Sequence, residues 1–454
     1  MDPLHALASL PGAFALRSSL PDSASPVRRA RWSFFGAEPF ASFRSADADA
    51  ASDAYRALAA DGELAAPEIG APFTGGAVGY WAYDYGRRLE HLPDRARNDL
   101  ALPDHWLALY DVVVVRDEDS GRTWIVSTGL PAPAESRGSR ARERLELFRA
   151  LLEAPDPPPP PAPPERVPRL ATSTFTRAAY ERGVEAVRED IRRGQIFQAN
   201  LSQRWTVPLS GAHLHALAFD RALVTHTPSP FAATLCLGDH TVLSASPESF
   251  LRRRGPVVET RPIKGTRPRG ASEAEDARLA AELRASAKDR AENVMIVDVL
   301  RNDIGRVCEP GSVEVPELCA LERFPQVWHL TSTVTGRLRG GIGPFDLLHA
   351  CFPGGSITGA PKIRAMEILE SLEPVRRHLY TGAIGWIGWN GDADWNIAIR
   401  TATATPDAIH WSAGGGITAD SDPRAEYEES LAKGEGLRRA LGSVIGEIAL
   451  PGGD

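Results

Sequence analysis

Cysteine is scarce: the 454-residue chain has four, Cys236, Cys308, Cys319 and Cys351, and no two form a C-x-x-C pair. Neither a zinc site nor a disulfide framework is indicated, and a reducing cytoplasm is the expected setting. Surplus positive charge is missing too. The formal net charge is -8, with both signs spread along the chain. No basic face exists to neutralise phosphates, so neither nucleic acid nor an anionic membrane is an expected partner. No apolar run is long enough to span a bilayer. The stretch Met1–Leu20 contains Asp2, Pro3, His5 and Pro11, unlike the basic start and continuous apolar core of a signal peptide. With 43% hydrophobic residues the chain can bury a large core, and its length predicts two or three packing units.

In chain order, Arg31–Phe40 mixes aromatics with small residues and predicts a strand entering a turn. Within Phe73–Asp84, Gly75, Gly76 and Gly79 stand beside Tyr80 and Trp81, the pattern of a strand whose backbone is approached tightly. His105–Val115, an acidic glycine turn at Asp117–Gly121 and Thr123–Val126 read as a β-hairpin. Residues 1–153 are thus expected to be mostly sheet, closing on a helix over Ser139–Glu153. Pro155–Pro164 can neither pair in a sheet nor continue a helix, so 154–169 reads as an exposed polyproline linker. A second region follows over 170–440, with a tail over 441–454.

That second region opens on Thr176, the expected N-cap of a helix that places Tyr180, Val184, Val187 and Ile191 on one face and ends near Gly194. A strand over Ile196–Trp205 and helices over Asp276–Leu300 come next. At Gly354–Lys362 a glycine-rich loop meets a helix marked by Pro361, which leaves backbone N–H groups free to hold an anion. Strands around Tyr380–Trp389 and Trp395–Thr401 lead to Gly414–Gly416 and a closing helix capped by Ser421 or Asp422. No internal repeat is visible, and long antiparallel strands with helices between them predict an α+β fold.

Lys264 stands out chemically. In Val257–Thr266 two valines begin a strand, Pro262 fixes a bend and Gly265 frees the backbone, so Lys264 sits where the strand runs out into a turn. Most lysines are solvated charges; one held by its flanks is a candidate nucleophile.

Pro262-Ile263-Lys264-Gly265-Thr266 resembles a signature of the chorismate-utilising enzymes, in the branch that makes 4-amino-4-deoxychorismate, where this lysine is the covalent nucleophile. The related anthranilate synthases usually carry alanine there. The resemblance is continuous from Phe175 to Gly436, and the Gly75–Tyr80 run is similar to one in the family's amino-terminal half. It implies a large antiparallel β-sandwich flanked by helices. It also implies roles for individual residues: Glu248 as the acid that protonates the departing C4 hydroxyl, Lys264 as the nucleophile at C2, and His329 beside the reacting carbons, its role left open. Glu292 and Glu429 resemble magnesium ligands, two carboxylates being what that ion usually takes from a protein. Glu429 and Lys433 are equally an ordinary i,i+4 helix pair; the resemblance places Lys433 near the ring carboxylate. Arg400 and Tyr380 resemble the pair that grips the pyruvyl carboxylate, while Gly415 and Gly416 supply backbone N–H groups or are simple turn residues. Thr358 is expected on the substrate as well.

Gln198 stands where water-adding relatives carry a basic lysine, which implies ammonia as the incoming nucleophile. None of the four cysteines lies on a glycine-flanked elbow, so a separate glutamine amidotransferase subunit is the expected ammonia source. The alternatives are an anthranilate synthase component and a non-catalytic chorismate-binding subunit.

Overall fold

The computed structural model describes residues 2–18, 31–60, 69–154, 168–209, 216–324 and 327–451. The proline run falls outside them. Two large antiparallel sheets organise the rest, with eleven and ten strands among the described residues, counting the side strands Thr172–Ser173 on Gln198–Pro208 and Glu314–Arg323 on Val327–Arg337. The first sheet runs, edge to edge, through Gly359–Ala360, Gln198–Pro208, Ala408–Ile417, Thr401–Ala404, Thr241–Ser246, Phe231–Cys236, Phe14–Arg17, Trp32–Gly36, Val112–Asp117 and Thr123–Ser127. In the second the order is Ile263–Pro268, Val327–Arg337, Val257–Arg261, Ser249–Arg254, Ala393–Ile397, Ala383–Gly388, Gly76–Trp81, His105–Tyr110 and Ala41–Arg44. Both sheets therefore contain strands from either side of the proline run.

The sheets face each other across an apolar core. Phe14, Phe34, Val113 and Leu235 of the first pack with Val78, Trp106, Tyr110, Ile384 and Trp386 of the second. Helices cover the outer faces. Pro423–Ile445 and Ala216–His226 bury Leu437, Leu441 and Phe219 on Trp205 and Trp411, and Ala287–Gly305 lays Val297 and Ile304 against the second sheet. This is the α+β sandwich that the sequence predicts. No helix of the described residues is long and apolar enough to cross a membrane.

One expectation fails at Asp111. The run His105–Val115 is not one arm of a hairpin: His105–Tyr110 joins the second sheet and Val112–Asp117 the first. Asp111 is 1% exposed, and Arg144 and Arg140 draw its carboxylate out of the strand at 3.2 and 3.4 Å. A buried charge that must meet its partners breaks the ladder there. The hairpin is Val112–Asp117 with Thr123–Ser127. Elsewhere local signals hold. Thr176 caps Arg177–Arg192 by accepting from the Ala179 N–H at 3.2 Å, and Asp422, rather than Ser421, caps Pro423–Ile445. Gly76 and Gly79 lie so close to the Ile387 and Trp106 carbonyls that a Cβ on either would strike them, as their spacing predicts.

Candidate active site

Lys264 owes its position to a break in the ladder. Ile263 pairs with Thr331 and Thr266 with His329, so the register shifts across Lys264 and Gly265. A bulge of this kind re-aims a side chain out of the sheet's alternation. Gly265 takes φ +84, and a Cβ there would press on Leu283 and Asp289 at 2.9 Å; conformation and space both demand glycine. The Lys264 amine donates to the Ser356 carbonyl at 3.1 Å. Burial lowers its pKa below the usual lysine value, against the pull of the Glu248, Glu292 and Glu429 carboxylates.

Glu248 occupies the short join between Thr241–Ser246 and Ser249–Arg254. The Ser246 hydroxyl donates to the Ile397 carbonyl at 2.6 Å and accepts from the Glu248 N–H at 3.3 Å, which holds the turn. The residue is 5% exposed. Burial raises its pKa, with the Ser356 hydroxyl and the Lys264 ammonium opposing, and a carboxyl that keeps its proton is what a general acid needs.

The loop over 354–361 links these two groups to the first sheet. The Ser356 carbonyl also accepts from Asn200 Nδ2 at 3.2 Å. Thr358 is fully buried, and its hydroxyl donates to the Gly354 carbonyl at 3.0 Å, so it shapes the loop. Behind the loop, Arg377 forms a bidentate pair with Glu373 and donates to the carbonyls of Ile357 and Asn200. Tyr380 lies beside that guanidinium, its phenol pushed up by burial. Gln198 is fully buried, and neither of its amide heteroatoms has a hydrogen-bond partner among the described residues; buried amides are rarely left so, and this one is available to a bound polar group. Gly416 lies against it, where a Cβ would overlap the amide.

Two helices bring the carboxylates. Glu292, on Ala287–Gly305, is mostly buried, and that burial raises its pKa, as do the neighbouring Asp289 and Glu429 charges. Beside it, Asn293 is pinned to the Leu330 carbonyl at 3.2 Å, which fixes the helix turn that carries Glu292. Glu429 is half exposed and pairs with Lys433 at 2.6 Å. Its partial burial pushes the carboxyl up, but Lys433 outweighs that and holds it below the usual range. Lys433 also donates to the Gly414 carbonyl at 3.1 Å. Glu426 was not foreseen. It is buried, accepts from the Ser421 hydroxyl at 2.6 Å, and its Oε2 would stand 2.8 Å from a Cβ on Gly415. Its spacing from Glu429 and Lys433, one side of a helix at i, i+3 and i+7, was the available signal.

His329 and Arg400 close the other side. Burial, with the Arg400 charge nearby, lowers the His329 pKa to about 3, and its Nδ1 meets the Thr266 hydroxyl at 2.9 Å. It is a neutral imidazole near pH 7. Arg400 takes φ +49. Burial lowers its pKa, and no carboxylate pairs with it among the described residues. A desolvated guanidinium without a counter-ion is a ready anion site. Electrostatic reach thus joins Lys264, Glu248, Glu292, Glu429 and Lys433, and separately His329 with Arg400, while Tyr380 lies beside Arg377.

Among the described residues no three His, Cys, Asp or Glu side chains converge on one point that could hold a metal ion. The Glu429 charge nonetheless lies near enough to Glu292 to raise its cost of ionisation. An all-oxygen pair under mutual repulsion fits magnesium, which completes its shell with water and substrate oxygens.

Comparison with known proteins is consistent with this geometry. The family described as chorismate binding enzyme matches residues 22–439. Aminodeoxychorismate synthase component 1 of Salmonella typhimurium is 45% identical over 367 residues, which are 81% of this chain and 77% of that protein. An anthranilate synthase component 1 of Haloarcula marismortui is 41% identical over 426 residues, 91% and 86% of the two chains. The crystal structure of anthranilate synthase component I from Streptococcus pneumoniae superposes with a TM-score of 0.78 at 31% identity, covering 90% of this chain and 92% of that one.

Proposed function

The chain belongs to the chorismate-binding enzyme family, and from that premise we infer that it acts as component 1 of an aminodeoxychorismate synthase, converting chorismate and ammonia to 4-amino-4-deoxychorismate. The observation that carries this reading over anthranilate synthesis is Lys264, an amine turned inward by a bulge and lowered in pKa by burial beside Glu248. A primary amine so placed occupies the approach to C2, which an anthranilate-forming enzyme must leave open to ammonia.

The reaction divides between residues as follows. Arg400 and Tyr380 receive the pyruvyl carboxylate, and the Gly416 N–H with Lys433 receives the ring carboxylate, Gly415 being paired with Leu201 in the strand ladder. The neutral Lys264 amine adds to C2, the ring double bonds shift, and the C4 hydroxyl leaves as water with the proton of Glu248. Ammonia then forms its bond to C4, the double bonds shift back, and the C2–N bond to Lys264 breaks; the excess proton of the ammonium returns to Glu248. One ammonia is consumed, one water is released, and the pyruvyl group stays on. Glu292 and Glu429 would hold a magnesium ion, which when bound would neutralise the ring carboxylate against them. Gln198, being no base, leaves ammonia rather than water as the nucleophile. A glutamine amidotransferase subunit supplies the ammonia, the product leads toward p-aminobenzoate and folate, and four free thiols support a cytoplasmic setting.

The test is product analysis by mass spectrometry with chorismate, ammonium and magnesium. A product that retains the pyruvyl group, lost in Lys264→Ala, is expected. Anthranilate from the unaltered chain would assign it to the other branch, and intact chorismate binding without turnover would make it a non-catalytic subunit.

A further inference from the structure

This chain hardly uses lysine. Of its 51 lysines and arginines only four are lysines: Lys264, Lys288, Lys362 and Lys433. Among the described residues arginine forms nearly all the surface ion pairs, Lys288–Glu292 and Lys433–Glu429 being the lysine exceptions. Three of the four lysines surround the carboxylates just described, Lys264 and Lys433 within reach of Glu248 and Lys288 at 3.9 Å from Glu292. Lys362 is the fourth, and nothing so far accounts for it.

Lys362 opens the helix Lys362–Leu372 immediately after the loop that carries Ser356. Its ammonium donates to Asp303 Oδ2 at 2.7 Å and to the Cys351 carbonyl at 2.9 Å, with the two side chains only 12% and 4% exposed. One buried point charge thus ties both ends of the loop, residue 351 and residue 362, to the helix Ala287–Gly305. The loop lies flat on that helix: a Cβ on Gly355 would come within 2.5 Å of Val299. The same helix carries Glu292, and the same loop carries the Ser356 carbonyl that holds the Lys264 amine.

We propose that Lys362 is a positioning residue for the amination: it locks the loop over 351–361 onto the helix Ala287–Gly305 and so sets where Ser356 holds the Lys264 amine relative to Glu292. The socket explains the choice of lysine. Two oxygens meet one ammonium on a slender stem, whereas a planar guanidinium with five donors would leave buried N–H groups unpaired and need more room.

The inference rests on Lys264 being the nucleophile, so Lys264→Ala is measured beside Lys362→Arg and the paired replacement Lys362→Met with Asp303→Leu. The pair guards against misfolding, because apolar replacement of a whole buried ion pair is commonly tolerated. For each full-length variant, kcat and chorismate KM with ammonium are read together with Tm. The expected result is a fall in kcat of about tenfold or more in both Lys362 variants with KM within about twofold, since a small displacement of a reacting group costs rate while the carboxylate contacts stay. Unchanged kcat in the Lys362 variants, whatever their Tm, overturns the inference while a dead Lys264→Ala leaves the nucleophile in place. Full activity in Lys264→Ala overturns both.

Discussion

At the scale of the residue, burial moves Glu248 and Lys264 in opposite directions, and each direction suits its task. The productive state holds one proton between them, on Glu248 with Lys264 neutral. Acid adds a second proton and charges the amine; alkali removes the first and disarms the acid. Because Glu248 is raised from 4.5 and Lys264 lowered from 10.5, both limbs of a bell-shaped kcat profile are drawn inward from those ordinary values. Glu248→Gln should lower kcat by about a hundredfold or more and abolish the alkaline limb. The acid limb then belongs to Lys264 alone and stays or moves to higher pH, because Glu248 is already protonated in the state that acid forms and no longer shares the first dissociation; an alkaline limb that persists in this variant would exclude Glu248 as the acid. Gly416→Ala is expected to push the Gln198 amide out of place and to depress turnover far more than stability, measured as kcat against urea midpoint.

Glu248, Lys264, Glu292 and Arg400 could be singled out because each stands in a recognisable local context. Ser356, Arg377 and Asp303 were not, since their partners lie far along the chain: Lys264 and Ser356 are 92 positions apart.

At the scale of the element, local rules predicted most helices and few pairings. Caps announce themselves within four residues, as at Thr176, whereas the partner of a strand does not. His105–Val115 reads as one apolar run, and only the arginines at 140 and 144 reveal that Asp111 divides it. Glycine shows the same division in energetic terms. Gly76→Ala would drive a Cβ into the Ile387 carbonyl at φ +144 and should cost about 2 kcal/mol or more in urea unfolding. Gly138→Ala lies on an open face of the helix Ala134–Glu153 and should stabilise by about 0.5–1 kcal/mol.

At the scale of the whole molecule, the proline run separates sequence but not structure. Phe14–Arg17 pairs with Phe231–Cys236, and Gly76–Trp81 with Ala383–Gly388, so either half alone would bare the edges and the apolar faces of two unfinished sheets. Residues 1–154 and 168–454 produced separately should therefore show no cooperative thermal unfolding, and co-production should restore one transition and chorismate turnover. Two independent melts from the separate halves would contradict this.

Composition, capping residues and the order of the motifs by themselves determined an α+β chain of the chorismate-binding family and singled out Lys264, Glu248 and Arg400 as candidate site residues. Those properties depend on residue type and near neighbours, and the sequence holds both. Tertiary structure alone decided that the two halves share both sheets, that a bulge aims Lys264 at Ser356, and that burial shifts Lys264 and Glu248 toward each other. Each of these depends on which distant segments exclude water from one another, and that is settled only when the sheets close on their common core.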